Sequence, residues 1–332
     1  MKKLFQSLKE HLDENREAVL VTVVGSSGST PRGAGAHMLV DDSGRSCGTI
    51  GGGAIEYRAL EIAAQVLKEK GCSQEHFLLR TNKVEDLGMV CGGEVSVWFR
   101  YLDPQNSALR ESVELAVSAF HDGDPCWLIQ TSGREPRLAV YSNGKTAGDA
   151  VPKKVISALH RKPVMIGDQN KNFFAEPMLR SGRVYIFGGG HVAQALVPAL
   201  TAVDFRCVVV EDRREFCSPE LFPGVEETVL MTREEWGGLH ITNDDYICIM
   251  TRGHKNDIDC EAFALATAAR YIGVIGSRKK IAYVNSQLKE RGFTDEDLAR
   301  ITTPIGLPIL AETPAEIAVS ITAQLIMERA EK

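Results

Sequence analysis

The first half of the chain opens on a helical pattern and then changes to strand patterns. Apolar side chains at the spacing of one helix face predict an amphipathic helix over residues 1–16. A β-rich run follows at 18–24, and strand character resumes at 37–40, just before the turn at 41–44. Between the two strands lies GSSGSTPRGAG (25–35), which is too rich in glycine and serine for regular structure.

The segment CGTIGGGAIEYRALEIAAQVLKEKG (47–71) predicts a short strand, three consecutive glycines and a long helix. Further strands and helices are predicted up to residue 160. They are strands at 76–81, 95–102, 126–130 and 138–141 and helices at 111–120 and 152–160. The stretch 161–182 contains proline, asparagine and lysine, and we expect the boundary between domains at 1–178 and 179–332 to lie in it.

The segment RVYIFGGGHVAQALVPALTAVDFRCVVVED (183–212) predicts a strand, a glycine turn, a helix and a second strand that ends in two acids. The turn matches the G-x-G-x-x-G/A pattern, and the acids follow about 20 residues later, where an acid usually meets a ribose hydroxyl. N–H groups at the helix start would face an anion. The residues expected to contact a nucleotide here are Gly188, Gly189, Gly190, His191, Glu211 and Asp212.

Buried strands and helices continue to alternate beyond this segment. Strands are predicted at 245–251 and 271–275, separated by a helix over 257–270. The sequence Thr313-Pro314-Ala315-Glu316 is a capping box that predicts the start of the last helix. The fold class is therefore α/β: a C-terminal Rossmann-like, doubly wound parallel sheet, and an N-terminal α/β domain with a mixed sheet.

Composition excludes several classes of protein. The 332 residues are 44% hydrophobic and 25% charged, which is typical of a soluble globular protein with two domains. A net charge of −6 argues against a nucleic acid or an anionic membrane as the main partner. None of the eight cysteines forms a C-x-x-C pair, so neither structural zinc nor a disulfide framework is indicated. With no signal-peptide core or membrane-spanning run in the sequence, we expect a cytoplasmic protein.

Two neighbouring segments of the first half are candidates for anion binding. Gly51, Gly52 and Gly53 precede a helix, and three glycines would be costly inside a helix or strand. They either let an anion approach the backbone or form a tight turn beside a crowded neighbour. Arg32, in the glycine-rich loop, has a planar guanidinium that suits a phosphate, although it is equally consistent with an ordinary surface arginine.

Other candidates rest on single positions. Cys91, in MVCGG, is either a thiolate that contacts a soft metal or carries sulfur, or an inert core residue. His254 follows the carboxyl end of a strand, where doubly wound folds bind ligands, but it also fits a hydrogen-bonded loop histidine. Ser277 and Arg278 lie in GSRKK before a helix, where cations oppose the macrodipole; a bound anion would relieve that conflict, and a solvated basic surface is the alternative.

Segments along nearly the whole chain resemble the XdhC/CoxI family, the accessory proteins of xanthine dehydrogenase and related molybdenum hydroxylases. They are GSTPRGAGAHMLV, CGTIGGGAIEYRA, MVCGGEVSVW, RVYIFGGGHVAQAL, VVVEDR, TRGHKNDIDCEAF, YIGVIGSRKK and TPIGLPILAETPAEIAVSI. The block that joins GSRKK to the capped last helix is distinctive, because a generic dinucleotide enzyme has no reason to contain it.

The resemblance implies a protein that binds and protects molybdenum cofactor (molybdopterin), and passes it after sulfuration to an apo-hydroxylase. Its partners would be that hydroxylase and a cofactor sulfurase, and the family suggests a homodimer. Some members carry a cysteine directly after the glycines, where this chain has Ala54. Cys91, in a matching C-G-G block, is then the better candidate for a sulfur contact to molybdenum.

Two other functions stay open on the residues alone. An NAD(P)-dependent oxidoreductase would use the same glycine fingerprint, but no pattern identifies its catalytic residues; His254 with Asp257 or Asp259 is the one candidate pair. A nucleotide-sensing regulatory protein without chemistry of its own is the third. Whether the Rossmann-like half takes NAD(P) or another nucleotide is likewise left open.

Overall fold

The chain forms two compact units in the computed structural model, Met1–Arg180 and Ser181–Lys332. The structure describes residues 1–79, 92–133, 136–168, 171–179, 182–252, 254–276 and 278–331, without the side chains of 179, 254, 255, 278–280 and 331. No helix in these ranges is long and apolar enough to cross a membrane.

The first unit contains two five-stranded sheets. The first sheet and its helices are α1 (Lys2–Asp13), β1 (Ala18–Ser27), β2 (His37–Asp41), β3 (Gly44–Gly48), α2 (Gly53–Glu69), β4 (Cys72–Leu78), β5 (Glu94–Leu102) and α3 (Ser107–Asp122). The second comprises β6 (Cys126–Thr131), β7 (Leu138–Ser142), β8 (Lys145–Gly148), α4 (Lys153–Ser157), β9 (Val164–Asp168) and β10 (Lys171–Leu179). The strand orders are β3-β2-β1-β5-β4 and β8-β7-β6-β10-β9, and every described pairing is antiparallel.

Alternation along β1 divides the core of this unit. Val19, Val21 and Val23 point to one face and pack in a cluster with α2. Ala18 and Leu20 point to the other face, where they join α1, α3 and apolar residues of the second sheet. The middle of the first sheet is therefore buried on both faces, whereas its edge strands β3 and β4 are largely exposed.

The stretch 161–182, predicted to hold the domain boundary, contains regular structure for most of its length, and the two units divide near its end, between Arg180 and Ser181. Most of this stretch is the hairpin β9–β10, and β10 pairs with β6 inside the second sheet. Pro177 made the stretch look irregular because proline lacks an N–H donor and is rare in a central strand. The structure accommodates it with a register shift between Pro177 and Leu179.

The second unit has one parallel sheet. Its elements are β11 (Arg183–Phe187), α5 (His191–Ala202), β12 (Arg206–Glu211), β13 (Glu227–Leu230), β14 (Tyr246–Ile249), α6 (His254–Leu265), β15 (Tyr271–Val274), α7 (Arg278–Glu290), α8 (Asp295–Leu298), β16 (Ile301–Thr302) and α9 (Pro314–Glu331). The strand order is β13-β12-β11-β14-β15-β16, which is the 3-2-1-4-5-6 order of the Rossmann fold. The predicted α/β class and Rossmann-like sheet are confirmed.

Two local features that the sequence predicts are present in this unit. Cys207 and Cys248 are fully buried in the sheet, and burial raises the pKa of both thiols, so they are plain core residues. The capping box of α9 is formed: the Thr313 amide donates to Glu316 at 2.9 Å, and the Glu316 amide donates to the Thr313 hydroxyl at 3.3 Å.

Candidate functional site

A pocket lies at the carboxyl edge of the parallel sheet in the second unit. It is a shallow, open pocket of about 680 Å³, a volume that includes space shared with bulk solvent. The order of strands reverses between β11 and β14, and this switch point is where doubly wound sheets bind ligands. The floor is apolar, and charged and polar groups surround it. The floor is made by Phe187, Val210, Met231 and Trp236, and the rim by Asp212, Arg213, Arg233, Thr251, Arg252, Asn256 and Asp259.

Glu211, at the end of β12, is bound within its own unit. Its Oε2 accepts from the Gly189 amide at 2.7 Å and from Arg213 Nη2 at 2.8 Å. Its Oε1 accepts from Arg213 Nε at 2.9 Å and from the amides of Asp212 and Arg213 at 3.0 and 3.2 Å. Burial alone would raise the pKa of Glu211, but these donors outweigh it and lower the pKa to about 2. Glu211 is therefore a carboxylate that closes the glycine turn.

The three glycines of this turn have different surroundings. Gly188 has φ +107°, and a Cβ there would lie 2.5 Å from the Met250 carbonyl oxygen, so the tight turn requires glycine. A Cβ at Gly189 would lie 2.1 Å from the Phe216 carbonyl oxygen. At Gly190, the N-cap of α5, a Cβ would meet nothing within 4 Å. The open approach to the backbone is thus at Gly190, beside the exposed His191 at the start of α5.

Asp212 is the acid that stays open to solvent. Its side chain is 54% exposed, and its Oδ1 lies 3.8 Å from Arg213 Nε, beyond hydrogen-bond distance. The pKa of Asp212 is raised, first by a side-chain hydrogen bond with Glu211, which favours the protonated form, and then by burial and by the negative charge of Glu211. Asp259, which also lines the pocket, is paired with Arg233 and accepts from Arg291 at 2.7 Å.

Three glycine-bearing segments of the first unit converge at one place. A Cβ at Gly28 would lie 3.1 Å from the Cα of Gly93, and one at Gly93 would lie 2.3 Å from the Ser29 carbonyl oxygen. A Cβ at Gly51 would lie 2.6 Å from Pro31 Cβ and 3.7 Å from Arg32 Cγ. The loop 25–35 thus packs backbone against backbone on the segment before β5, and the side chains of Pro31 and Arg32 pack on the turn before α2. We call this region the glycine junction.

Glu56, in the first turn of α2, holds the turn at the glycine junction. It accepts from the amides of Ile50 and Gly52 at 3.2 and 3.1 Å, from the Thr49 hydroxyl, and from Arg45 Nη1 at 2.7 Å. Burial would raise the pKa of Glu56, but these bonds lower it. An internal carboxylate therefore accepts the Gly52 amide. The remaining open surface is the exposed Arg32 and the backbone beside Gly52, where a Cβ would meet nothing within 4 Å.

Several predicted site residues lie outside the described residues. They are Cys91 and Ser277, together with the side chains of His254 and Arg278. Of the acids considered with His254, Asp257 accepts from the Thr251 hydroxyl at 2.7 Å and Asp259 pairs with two arginines. Within the described ranges, no group of three histidine, cysteine or acidic residues is arranged to hold a metal ion.

Four residues that organise these sites were missed by sequence reasoning. Arg213 directly follows the two acids and Glu56 follows the three glycines, so a search for partners of those motifs would have found both. Trp236 and Arg233 come from the turn after β13, which no sequence pattern connects with the glycine fingerprint.

Two family models match this chain. The XdhC Rossmann domain matches residues 184–325, and the XdhC and CoxI family matches residues 11–78. The chain belongs to the XdhC and CoxI family. The matches extend over both units and over the elements that build the pocket and part of the glycine junction.

Three curated proteins are similar to nearly the whole of this chain. The chain is 27% identical over 95% of its length to the protein YqeB of Escherichia coli, of which it spans only 44%. It is 25% identical to a Bacillus subtilis protein described as a probable subunit of xanthine dehydrogenase, covering 96% of this chain and 95% of that one. It is 23% identical to the molybdenum cofactor insertion chaperone PaoD of E. coli, covering 96% and 86%.

A solved structure has the same fold along almost the entire chain. The crystal structure of a protein described as a xanthine dehydrogenase from Bacillus halodurans superposes with a TM-score of 0.80 at 25% identity, covering 99% of this chain and 96% of that one.

Proposed function

We propose that this chain is an accessory protein that binds molybdenum cofactor and delivers it to a xanthine-dehydrogenase-type molybdenum hydroxylase. Membership of the XdhC and CoxI family supports this role, as does the relative described as a molybdenum cofactor insertion chaperone. The structural observation that carries the proposal is the glycine junction, where three chain segments leave an open stretch of backbone beside Arg32.

The residues at the junction fit the phosphate of the cofactor. The backbone at Gly52 has positive φ, and a Cβ there would meet nothing within 4 Å, so a bulky anion can approach it closely. Arg32 would supply a charge-assisted, two-pronged contact to phosphate oxygens. Glu56 already accepts the Gly52 amide, so we assign the phosphate to Arg32 and to the backbone on the solvent side of this turn. When bound, the cofactor supplies the molybdenum centre, and the protein binds and shields it.

Matched arginine variants test this placement. Purified protein would be incubated with molybdenum cofactor, passed through gel filtration, and analysed for molybdenum and pterin. We expect Arg32→Ala to weaken cofactor binding by about ten- to a hundredfold, since a charge-assisted hydrogen bond contributes roughly 1.5–3 kcal/mol. Arg58→Ala removes the same charge from an exposed position on α2 and should retain cofactor like the wild type. Equal retention by both variants would refute the assignment of Arg32.

The proposed delivery of molybdenum cofactor also implies protein partners for this chain. We propose an apo molybdenum hydroxylase as the recipient, a cofactor sulfurase as the donor-side partner, and a homodimer as the assembly. The cysteine assigned to sulfur contact is Cys91; a Cys91→Ala variant would retain less cofactor if the thiol contacts the molybdenum centre. Unchanged retention would make Cys91 a structural residue.

The second unit would take a nucleotide, and the Rossmann strand order with its edge pocket favours this ligand. Hydride transfer is a weaker candidate, because the described acids near the start of α6 are held by Thr251, Arg233 and Arg291. NADH oxidation with a small carbonyl substrate, in protein that retains no molybdenum, would instead establish the oxidoreductase.

A further inference from the structure

We infer that His37 and Glu176 are positioning residues for the glycine junction: this buried pair holds the end of the loop 25–35 and thereby fixes where Arg32 stands. The inference rests on the proposal that Arg32 receives the phosphate of the cofactor. It adds the internal contact on which the shape of that part of the site depends.

His37 and Glu176 form a histidine–carboxylate pair between the two sheets of the first unit. His37 begins β2, Glu176 lies in β10, and both side chains are 3% exposed. His37 Nε2 lies 2.7 Å from Glu176 Oε1; the two atoms are not in line for a hydrogen bond, and among the described residues neither has another partner. Each group therefore depends on the other, because a buried polar group without a partner is costly.

A chain of buried polar groups behind His37 decides which ring nitrogen carries the proton. Gln130, in β6, donates to the Thr22 hydroxyl at 3.2 Å, and that hydroxyl lies 3.1 Å from His37 Nδ1. A hydroxyl that accepts from Gln130 still has its own proton to donate, which makes Nδ1 the acceptor. The proton of the neutral ring is then on Nε2, the atom that faces Glu176.

The second oxygen of Glu176 stands against the loop. A Cβ at Gly35, which has φ +89°, would lie 2.9 Å from Glu176 Oε2 and 3.1 Å from Pro163 Cγ. The Gly35 amide donates to the Val23 carbonyl at 2.9 Å. The last residue of the loop is therefore held by β1 and enclosed by the carboxylate.

Arg32 lies three residues before Gly35, so the fixed end of the loop limits where Arg32 can stand. An extended chain spans at most about 3.6 Å per residue, which keeps the two residues within about 11 Å of each other. The side chains of Pro31 and Arg32 pack on Gly51. A displacement of Gly35 is thus passed on to Arg32, and in this way a buried pair acts on an exposed site.

The opposite end of β2 carries a second buried pair, which is the matched control. Asp41 Oδ2 lies 3.0 Å from Nε2 of His11, and the two side chains are 6% and 2% exposed. Asp41 also accepts from Arg16 and Ser43, and all of these partners are outside the loop 25–35. The two pairs share their chemistry, their burial and their strand, and they differ in that the first abuts the loop.

Trypsin tests the position of the loop without any cofactor. Arg32 is exposed and precedes Gly33, so a loosened loop offers trypsin a cleavage site. The full chain would be digested briefly under native conditions, and the cut after Arg32 followed by mass spectrometry. We expect His37→Asn, which leaves Glu176 without its donor, to speed this cut about tenfold. His11→Asn should be cut at the wild-type rate.

Cofactor binding tests the consequence for Arg32. We expect His37→Asn to weaken the binding of molybdenum cofactor about tenfold, and His37→Gln, whose amide reaches as far as the ring Nε2, to restore most of it. In an Arg32→Ala background, His37→Asn should cause no further loss, because His37 acts through Arg32. His11→Asn should bind cofactor like the wild type, although urea denaturation should show a loss of stability similar to that of His37→Asn.

A second variant covers the case in which His37→Asn does not fold. Glu176→Gln keeps the shape of the side chain and removes its charge, and it should also be cut faster after Arg32 than the wild type. The inference is overturned if the folded variants of this pair are cut at the wild-type rate, or if their loss of cofactor binding persists in the Arg32→Ala background. Equal effects of His11→Asn would overturn it too.

The two readouts separate this inference from the proposed function. If the wild type retains no cofactor, the proposed function fails, and the rate of the cut after Arg32 still decides whether His37 and Glu176 hold the loop. If the wild type retains cofactor and the cut is unchanged in the variants, the inference fails and the proposed function stands.

Discussion

The amide nitrogen of Gly189 lies 2.7 Å from Oε2 of Glu211, so the acid at the end of β12 closes the glycine turn of its own unit. The same arrangement occurs in the first unit, where Gly52 donates to Glu56 at 3.1 Å. In each case an arginine, Arg213 or Arg45, also donates to the carboxylate. A glutamate near a glycine turn therefore acts here as an internal anion that fixes the turn.

Replacing Glu211 should destabilise the second unit in a pH-dependent way. The pKa of Glu211 is lowered from 4.5 to about 2, so its ionised form contributes stability that is present above about pH 4.5 and is lost as the pH falls towards 2. We expect Glu211→Gln to reduce the free energy of unfolding by about 2–3 kcal/mol at pH 7, and by much less near pH 2. Urea denaturation at the two pH values measures the difference.

The control for this change is Glu234→Gln, an exposed glutamate of the turn after β13. It removes the same charge and should leave the unfolding free energy within about 0.5 kcal/mol. A loss in Glu211→Gln that is equal at both pH values would show that the stabilisation does not come from the ionised carboxylate.

Adjacent glycines of the fingerprint should differ sharply in their tolerance of alanine. Gly189→Ala places a Cβ 2.1 Å from the Phe216 carbonyl oxygen, so the segment over the turn must shift, and we expect a loss of about 2–4 kcal/mol. Gly190→Ala meets open space and should fold with a melting temperature near that of the wild type. Nucleotide binding should nevertheless weaken in Gly190→Ala, because its methyl group stands where the phosphate approaches. Similar melting temperatures for the two variants would contradict this account.

A second pair of glycines tests the glycine junction. Both Gly51 and Gly52 have positive φ, so alanine costs roughly 1–2 kcal/mol of backbone strain at either position. At Gly51 the new Cβ would also lie 2.6 Å from Pro31 Cβ, whereas at Gly52 it meets nothing within 4 Å. Thermal denaturation should therefore show Gly51→Ala to be clearly less stable than Gly52→Ala. The reverse order would mean that the loop 25–35 does not pack on this turn.

Glu56→Gln should weaken the same junction. The lowered pKa of Glu56 means that its contribution to stability is present above its unfolded pKa, about 4.3, and falls as the pH drops below that value. Glu61→Gln is the matched control, because it removes an exposed charge from the same helix. We expect Glu56→Gln to lower the melting temperature at pH 7 by several degrees and Glu61→Gln to change it little. If the difference in melting temperature between Glu56→Gln and Glu61→Gln did not depend on pH, the stabilisation would not come from the ionised carboxylate of Glu56.

Sequence alone predicted the second unit well for a physical reason. Its central strands β11, β12, β14 and β15 are short, continuous apolar runs, and a helix follows three of them, so pattern and fold agree there. The first unit was harder, since its sheets join distant segments and each pairing depends on tertiary contacts. Because of Pro177, the sequence did not predict the central strand β10. The strand accommodates this proline through a register shift, which no local sequence pattern predicts.

The candidate sites likewise contain residues that the sequence could predict and contacts that it could not. The glycines and the acids of the fingerprint were identifiable because residue type and spacing carry the signal. Which acid accepts from the turn could not be predicted, because Glu211 and Asp212 are neighbours and point differently only after β12 is seated against β11. The convergence of Gly28, Gly51 and Gly93 is likewise a property of packing between segments that are distant in sequence.

The most direct test of the central claim is transfer of the cofactor. Protein loaded with sulfurated molybdenum cofactor would be mixed with an apo xanthine-dehydrogenase-type hydroxylase, and the molybdenum content and hydroxylase activity of the re-isolated enzyme would be followed. We predict that wild-type protein transfers molybdenum and restores activity, while Arg32→Ala, which retains little cofactor, does not. If the wild-type chain retains no cofactor, or if the hydroxylase gains none from it, the proposed role is contradicted.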